Sequence, residues 1–275
     1  MGDHMNVVVT PTAEHLDIDA RRLLQHPQND TRVFPDDEVY VQIDGIESRD
    51  RVVLVHAGQP HPNRGLAYLY GILDLLREND CPITVLFTYV PYCRQDAAFY
   101  DGTLVYARSL LRLVTTHYGV DRVYAVDPHF EHRDWVRELP LERVAAFPLI
   151  QDRVKMDEYV VVGPDLGATK RFDVAGFEKV REGAADVDLE GELDVSGRDV
   201  LVLDDIVATG GTMKGAYERL KEQGADTVQA AAVHGVLDDG IQRVQETYDA
   251  FYLTNTIDTD AANVRIEPLL QEVIS

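Results

Sequence analysis

Val200-Leu201-Val202-Leu203-Asp204-Asp205-Ile206-Val207-Ala208-Thr209-Gly210-Gly211-Thr212 decides the fold, because an apolar, β-branched run opens directly into two carboxylates and then into a loop of hydroxyls and glycines. The run has the length and branching of a buried parallel strand, and residues 213–223 place Ala216, Tyr217 and Leu220 at helical spacing. Strand, tight loop and helix in that order make one βα turn of a parallel sheet. Asp204 and Asp205 are expected at the carboxyl end of the strand, where open α/β sheets hold their ligands.

The side chains of this turn suit a sugar phosphate. Gly210 and Gly211 let the backbone come close to an anion, while Thr209, Thr212 and the amides at the helix start donate hydrogen bonds to it. Adjacent carboxylates accept hydrogen bonds from ribose hydroxyls. Acidic capping of an ordinary βα turn would account for a bare Thr-Gly-Gly-Thr. The strand and both aspartates ahead of it favour the ligand reading.

Working outward, strands and helices alternate without repeats or low-complexity tracts. Residues 51–56 and 83–89 read as strands, with 65–77 between them as an amphipathic helix. Residues 102–116 read as another helix, and 123–126 as the strand that delivers Asp127 and His129. A second series of strands follows at 159–162, 200–203, 227–233 and 250–253. The polar, proline-bearing stretch Leu139-Pro140-Leu141-Glu142 separates the two series. The expected architecture is therefore α/β, with two similar domains over 1–141 and 142–275, each a mostly parallel sheet flanked by helices. Residues 182–197, acidic and broken by glycine, read as a mobile loop or hairpin over a site.

Composition narrows the function classes. The chain has 275 residues, 45% of them hydrophobic, which is enough for two cores. No segment approaches the roughly 18 uninterrupted apolar residues of a membrane helix, and no signal peptide opens the chain. Cys81 and Cys93 are the only thiols, so a reducing cytoplasm is expected rather than a disulfide framework. Against 26 basic residues stand 48 acidic ones, a net charge of −22, which makes nucleic acid a poor partner. Only Lys155, Lys170, Lys179, Lys214 and Lys221 are lysines, and an acidic, lysine-poor chain suits a high-salt cytoplasm, with a generally acidic mesophilic enzyme as the alternative. Residues 1–4 read either as native sequence or as an added remnant ahead of a native start at Met5.

The 204–212 turn resembles the phosphoribosyl pyrophosphate motif of type I phosphoribosyltransferases and of ribose-phosphate pyrophosphokinases, and the rest of the chain resembles the latter. Phe34-Pro35-Asp36-Asp37-Glu38 is similar to that family's Phe-Pro-Asp-Gly-Glu loop, and Tyr92-Cys93-Arg94-Gln95-Asp96 to its Tyr-Ala-Arg-Gln-Asp segment. Val126-Asp127-Pro128-His129 resembles its Asp-Leu-His metal motif, Gly163-Pro164-Asp165-Leu166-Gly167-Ala168-Thr169-Lys170-Arg171 its pyrophosphate loop, and Glu178-Lys179-Val180-Arg181 its catalytic Lys-x-Arg loop. Val233-His234-Gly235, Thr254-Asn255-Thr256-Ile257 and Pro268-Leu269-Leu270 extend the match. The likeness runs in order along nearly the whole chain.

The resemblance implies two type I phosphoribosyltransferase-like domains, with the last residues packing back on the first. It implies transfer of the pyrophosphoryl group of ATP to the C1 hydroxyl of ribose 5-phosphate, releasing AMP. Lys179 and Arg181 are then catalytic, and Phe34, Asp36, Glu38, Arg94, Gln95 and Asp96 bind ATP. Asp204, Asp205, Thr209, Gly210, Gly211 and Thr212 hold the ribose phosphate, and Asp165, Gly167 and Lys170 belong to the pyrophosphate loop. His129 and Asp165 are the metal donors expected for Mg2+, a hard cation that accepts few protein ligands beside phosphates and water. Taken alone, His129 is more often a structural histidine, with His132 as a rival donor, and a lone Lys-x-Arg more often two solvated charges; their places after Asp127 and between the two anion loops favour the functional reading. The family's Phe-Pro-Asp-Gly-Glu loop reaches a neighbouring subunit's nucleotide, which implies a homo-oligomer with shared sites.

Departures cluster on nucleotide handling and subunit packing. Ala97 and Ala98 replace basic residues, Leu104-Val105-Tyr106-Ala107-Arg108 replaces Pro-Ile-Ser-Ala-Lys, and Phe130-Glu131-His132-Arg133-Asp134-Trp135 replaces a glutamine-rich helix. Asp37 stands where the family has glycine. A phosphoribosyltransferase and a non-catalytic regulatory paralogue are the alternatives; the nucleotide-like first half argues against one, and retained Lys179, Arg181, His129 and Asp165 against the other.

Overall fold

The structure, a computed structural model, describes residues 5–181, 187–190 and 193–274; for 178–181 and 187–190 it describes the backbone alone. The chain divides into two compact units, one of Met1–Ala145 with Thr256–Asp258 and Ile266–Ser275, the other of Ala146–Asn255 with Thr259–Arg265.

In the first unit the chain runs β1 (Asn6–Val9), β2 (Val52–Ala57), α1 (Pro62–Glu78), β3 (Ile83–Tyr89), α2 (Tyr106–Arg112), β4 (Arg122–Val126) and β5 (Leu141–Val144). The strands form one sheet in the order β1-β2-β3-β4-β5, parallel at every pairing. All six residues of β2 are buried, as in a strand covered on both faces. α1 buries Leu66, Leu69, Leu73 and Leu76, at the three- and four-residue spacing that lays one helical stripe against a sheet. Withdrawing each leucine from water contributes about 2 kcal/mol, so this stripe is a main source of the unit's stability.

The second unit runs α3 (Phe147–Gln151), β6 (Tyr159–Gly163), α4 (Leu166–Phe172), β7 (Ala175–Gly176), β8 (Glu178–Arg181), β9 (Val187–Glu190), β10 (Asp199–Val207), α5 (Gly211–Glu222), β11 (Val228–Gly235), α6 (Asp238–Thr247) and β12 (Phe251–Leu253). Its five-stranded sheet has the order β12-β11-β10-β6-β7, again parallel. β8 and β9 form a separate antiparallel ladder. The chain steps from β6 outward to β7 and then returns to the other side of β6 at β10, so the winding reverses between β6 and β10. Ligands of open α/β sheets bind beyond the carboxyl ends of strands at such a switch point. α7 (Glu267–Ile274) counts with the first unit. Among the described residues no helix is long and apolar enough to cross a membrane.

The α/β reading with two mostly parallel sheets holds, with local differences. The 102–116 helix begins only at Tyr106 and continues beyond Arg112 as a wider π-type turn, Leu113–His117. β10 runs four residues past the expected Leu203, because β11 pairs with it as far as Val207. The expected loop or hairpin at 182–197 coincides in part with the β8-β9 ladder; 182–186 and 191–192 lie outside the described residues.

Candidate functional site

At the switch point, β6 leads into Pro164-Asp165 and β10 into Asp204-Asp205. Pairing of β10 with β6 stops at Val202, whereas pairing with β11 continues to Val207, so the two aspartates stand past the end of β6 while still inside a strand. Alternation along a strand sends them to opposite faces of the sheet. Val200 and Val202, in step with Asp204, belong to the core that α5 and α6 cover. Asp205, 2% exposed, accepts from Nη1 of Arg171 on α4 at 2.5 Å. A buried charge must be matched, and Arg171 is 3% exposed at its side chain. Asp204 is half-buried, and its Oδ1 accepts from the Asp205 amide at 2.9 Å. Burial, and then the Asp205 charge beside it, raise the Asp204 carboxyl well above the ordinary carboxylate range.

Thr209, Gly210, Gly211 and Thr212 turn from β10 into α5 as expected. Gly210 occupies the N-cap position with φ +73, a left-handed conformation that glycine reaches without a Cβ clash. Thr209 and Gly211 are exposed and Thr212 is half-buried, which leaves the hydroxyl face of the turn open to a ligand. On the other loop, Asp165 caps α4: its Oδ1 accepts from the amides of Gly167 at 2.9 Å and Ala168 at 3.1 Å. Gly167 and Lys170 are exposed. Lys179 and Arg181 lie in β8 opposite Leu189 and Val187; their side chains are outside the described residues.

The nucleotide-like residues belong to the first unit and divide into two groups. Phe34 to Glu38 form a tight turn closed by the Phe34 amide on the Glu38 carbonyl at 2.8 Å, between the bridged residues Val33 and Val39. Asp36, Asp37 and Glu38 are exposed. The half-buried Phe34 ring meets His26 and Tyr40 edge-on, with centroids 5.7 Å and 6.5 Å away. Arg94 and Gln95 lie exposed in the turn after β3, steadied by Tyr92, whose ring stacks on Tyr106 at 3.9 Å. Asp96 parts from them. Only 2% exposed, it is gripped through both oxygens by Arg133, at 2.8 Å and 3.2 Å, so it holds the turn from inside rather than facing solvent.

His129 follows β4 in a turn whose first residue, Asp127, has φ +33 and no exposure. Arg143 of β5 bonds Asp127 at 2.7 Å and Glu131 at 3.3 Å, bracing the turn on both sides of the half-buried His129, while His132 is exposed. Among the described residues no group of three or more His, Cys, Asp or Glu could cage a metal ion. A hard cation such as Mg2+ does not need such a cage, because substrate phosphates and water can supply most of its ligands. Sequence reasoning gave no role to Arg171, Arg133 or Arg143, each the partner of an aspartate in one of the quoted motifs. For Arg171 a signal existed: it stands three residues after Ala168, on the same face of a short helix.

The comparisons with known proteins agree with this geometry. A phosphoribosyl transferase domain model matches residues 151–270. The ribose-phosphate pyrophosphokinase of Pyrococcus furiosus is 30% identical over 280 residues, spanning 95% of this chain and 98% of that protein. The enzyme of the same name from Thermococcus kodakarensis is 32% identical, spanning 86% of this chain and 88% of its own. Among solved structures, phosphoribosylpyrophosphate synthetase from Mycobacterium smegmatis superposes with a TM-score of 0.79 at 26% identity, covering 98% of this chain and 97% of that one.

Proposed function

As the chain belongs to the ribose-phosphate pyrophosphokinase family, we propose that its Asp204–Thr212 turn cradles ribose 5-phosphate while ATP delivers a pyrophosphoryl group to the C1 hydroxyl, giving phosphoribosyl pyrophosphate and AMP. The observation that carries the assignment of the turn is its place beside the β6-β10 switch point, with an open hydroxyl face and paired carboxylates. Thr209, Gly210, Gly211 and Thr212 take the 5-phosphate, and Asp204 the ribose hydroxyls. Asp205, committed to Arg171, fixes the strand that presents Asp204.

Phosphoryl transfer requires neutralisation of charge more than covalent chemistry. Lys179 and Arg181 supply it from β8, and Lys170 from beside the pyrophosphate loop. Arg94 and Gln95 hold the nucleotide. Phe34, Asp36 and Glu38 serve a neighbouring subunit's nucleotide in a homo-oligomer, for which the exposure of Asp36 and Glu38 in a tight turn is the supporting feature. His129 and Asp165 are the donors we assign to Mg2+, which when bound offsets the charge of the phosphate oxygens. The acidic, lysine-poor composition supports a salt-rich cytoplasm as the working environment.

The test is a product assay with ATP and ribose 5-phosphate in molar salt. AMP that forms only when ribose 5-phosphate and magnesium are both present supports the reading. Formation of ADP instead would make the protein a simple kinase, and no nucleotide product would overturn the assignment.

A further inference from the structure

The outer side of the 208–211 backbone is covered by the first turns of α6, ten residues long. Contact there is backbone on backbone. A Cβ built on Gly240 would lie 1.7 Å from the Ala208 carbonyl oxygen and 2.9 Å from the Thr209 carbonyl carbon, so nothing larger than glycine fits without displacing the loop. One turn further, Nη1 of the exposed Arg243 donates to the Thr209 carbonyl.

A peptide group is planar and trans, so its C=O and the following N–H point in opposite directions. Holding the Thr209 carbonyl outward therefore turns the Gly210 N–H toward the inner side of the loop. Gly210 makes this restraint necessary, because a glycine peptide flips at little cost. A flipped Thr209–Gly210 peptide would present a carbonyl oxygen, with its negative partial charge, where an anion should find a donor.

We propose that Gly240 and Arg243 of α6 are positioning residues for the ribose-phosphate loop, Gly240 by admitting the 208–209 backbone and Arg243 by locking the Thr209–Gly210 peptide in its anion-binding sense. The proposal rests on the reading of Asp204–Thr212 as the ribose-phosphate cradle. Neither residue lies in the motifs that carry the family likeness.

Arg243→Ala is the informative variant, because Arg243 lines an open pocket of about 380 Å3 and its removal leaves no buried void. In hydrogen exchange on the ligand-free protein, the 208–212 amides should exchange roughly three- to tenfold faster, with those of β10 unchanged. Calorimetric titration with ribose 5-phosphate should show an affinity loss of the same order, with KM for ATP within about twofold of the parent. Arg243→Lys should recover part of both effects, and Gln242→Ala, one residue away on the exposed face, should show neither. Unchanged exchange at 208–212 in Arg243→Ala would overturn the proposal. If the parent protein itself failed to bind ribose 5-phosphate, the cradle reading would fall, while the exchange measurement would still decide whether Arg243 holds the loop.

Discussion

Arg171 and Asp205, 34 residues apart in sequence, meet at 2.5 Å with side chains only 3% and 2% exposed. Two charges withdrawn from water this completely gain little net stability from each other, but either one alone would be a heavy liability. Arg171→Met should therefore cost about 3 to 5 kcal/mol, read as a lowered urea midpoint in molar salt. Arg171→Met combined with Asp205→Asn should recover most of the loss. A double variant no better than the single one would mean that Arg171 contributes by packing rather than by matching charge.

Asp204 predicts a dependence of stability on pH. Its carboxyl is raised, so between the ordinary carboxylate value and the folded-state value the folded protein keeps a proton that the unfolded chain has lost. Stability from this group is thus greatest in acid and declines as pH rises through that window. In Asp204→Asn the decline is absent, so the variant's melting temperature should gain on the parent's with rising pH. The same substitution should raise KM for ribose 5-phosphate about tenfold, the weight of a lost charge-assisted hydrogen bond.

His56 works in the opposite sense and in the first unit. The ring has no exposure, Nδ1 meets the Thr10 hydroxyl at 3.0 Å, Nε2 has no partner among the described residues, and burial pushes its pKa down to about 3. The unfolded chain takes up a proton below about 6.5 that the folded chain refuses, so stability is complete above that value and falls as pH drops toward 3. The slope should approach about 1.4 kcal/mol per pH unit. Urea titrations of the parent and of His56→Gln between those limits should differ by this slope, the parent losing more stability than the variant as pH falls.

These groups also show what the sequence could and could not convey. The second core was legible because Val200 to Leu203 and Ala230 to Val233 are unbroken apolar runs of strand length, and the 204–212 turn because glycine and hydroxyl spacing has a local meaning. β5 was missed: it has four residues, two of them charged, Glu142 and Arg143, and neither alternation nor length marks it. α6 was missed because only Gly240, Ile241 and Val244 are buried along its ten residues. The carboxylates of the motifs were visible, whereas the arginines that match them were not. Which of many arginines turns inward depends on tertiary placement, and Arg133, Arg143 and Arg171 lie 37, 16 and 34 residues from their partners.

Asp37 offers the last prediction, because two opposed effects of similar size meet there. Its φ of +71 is costly for any residue with a Cβ, by about 1 to 2 kcal/mol, and glycine would relieve that cost. Against this, Nε of Arg64 donates to Oδ1 of Asp37 at 2.9 Å, tying the turn to α1. The pair is exposed, 31% and 66% at the two side chains, and such pairs contribute about 0 to 1 kcal/mol in dilute buffer. In molar salt the Debye length shrinks to about 3 Å and the ion pair loses most of its value, while backbone strain is unaffected. Asp37→Gly should therefore be near neutral at low salt and stabilising by about 1 kcal/mol in molar salt, measured as the shift in urea midpoint under both conditions. A gain that shrank with added salt would show that the Arg64 contact, not the backbone, governs this turn.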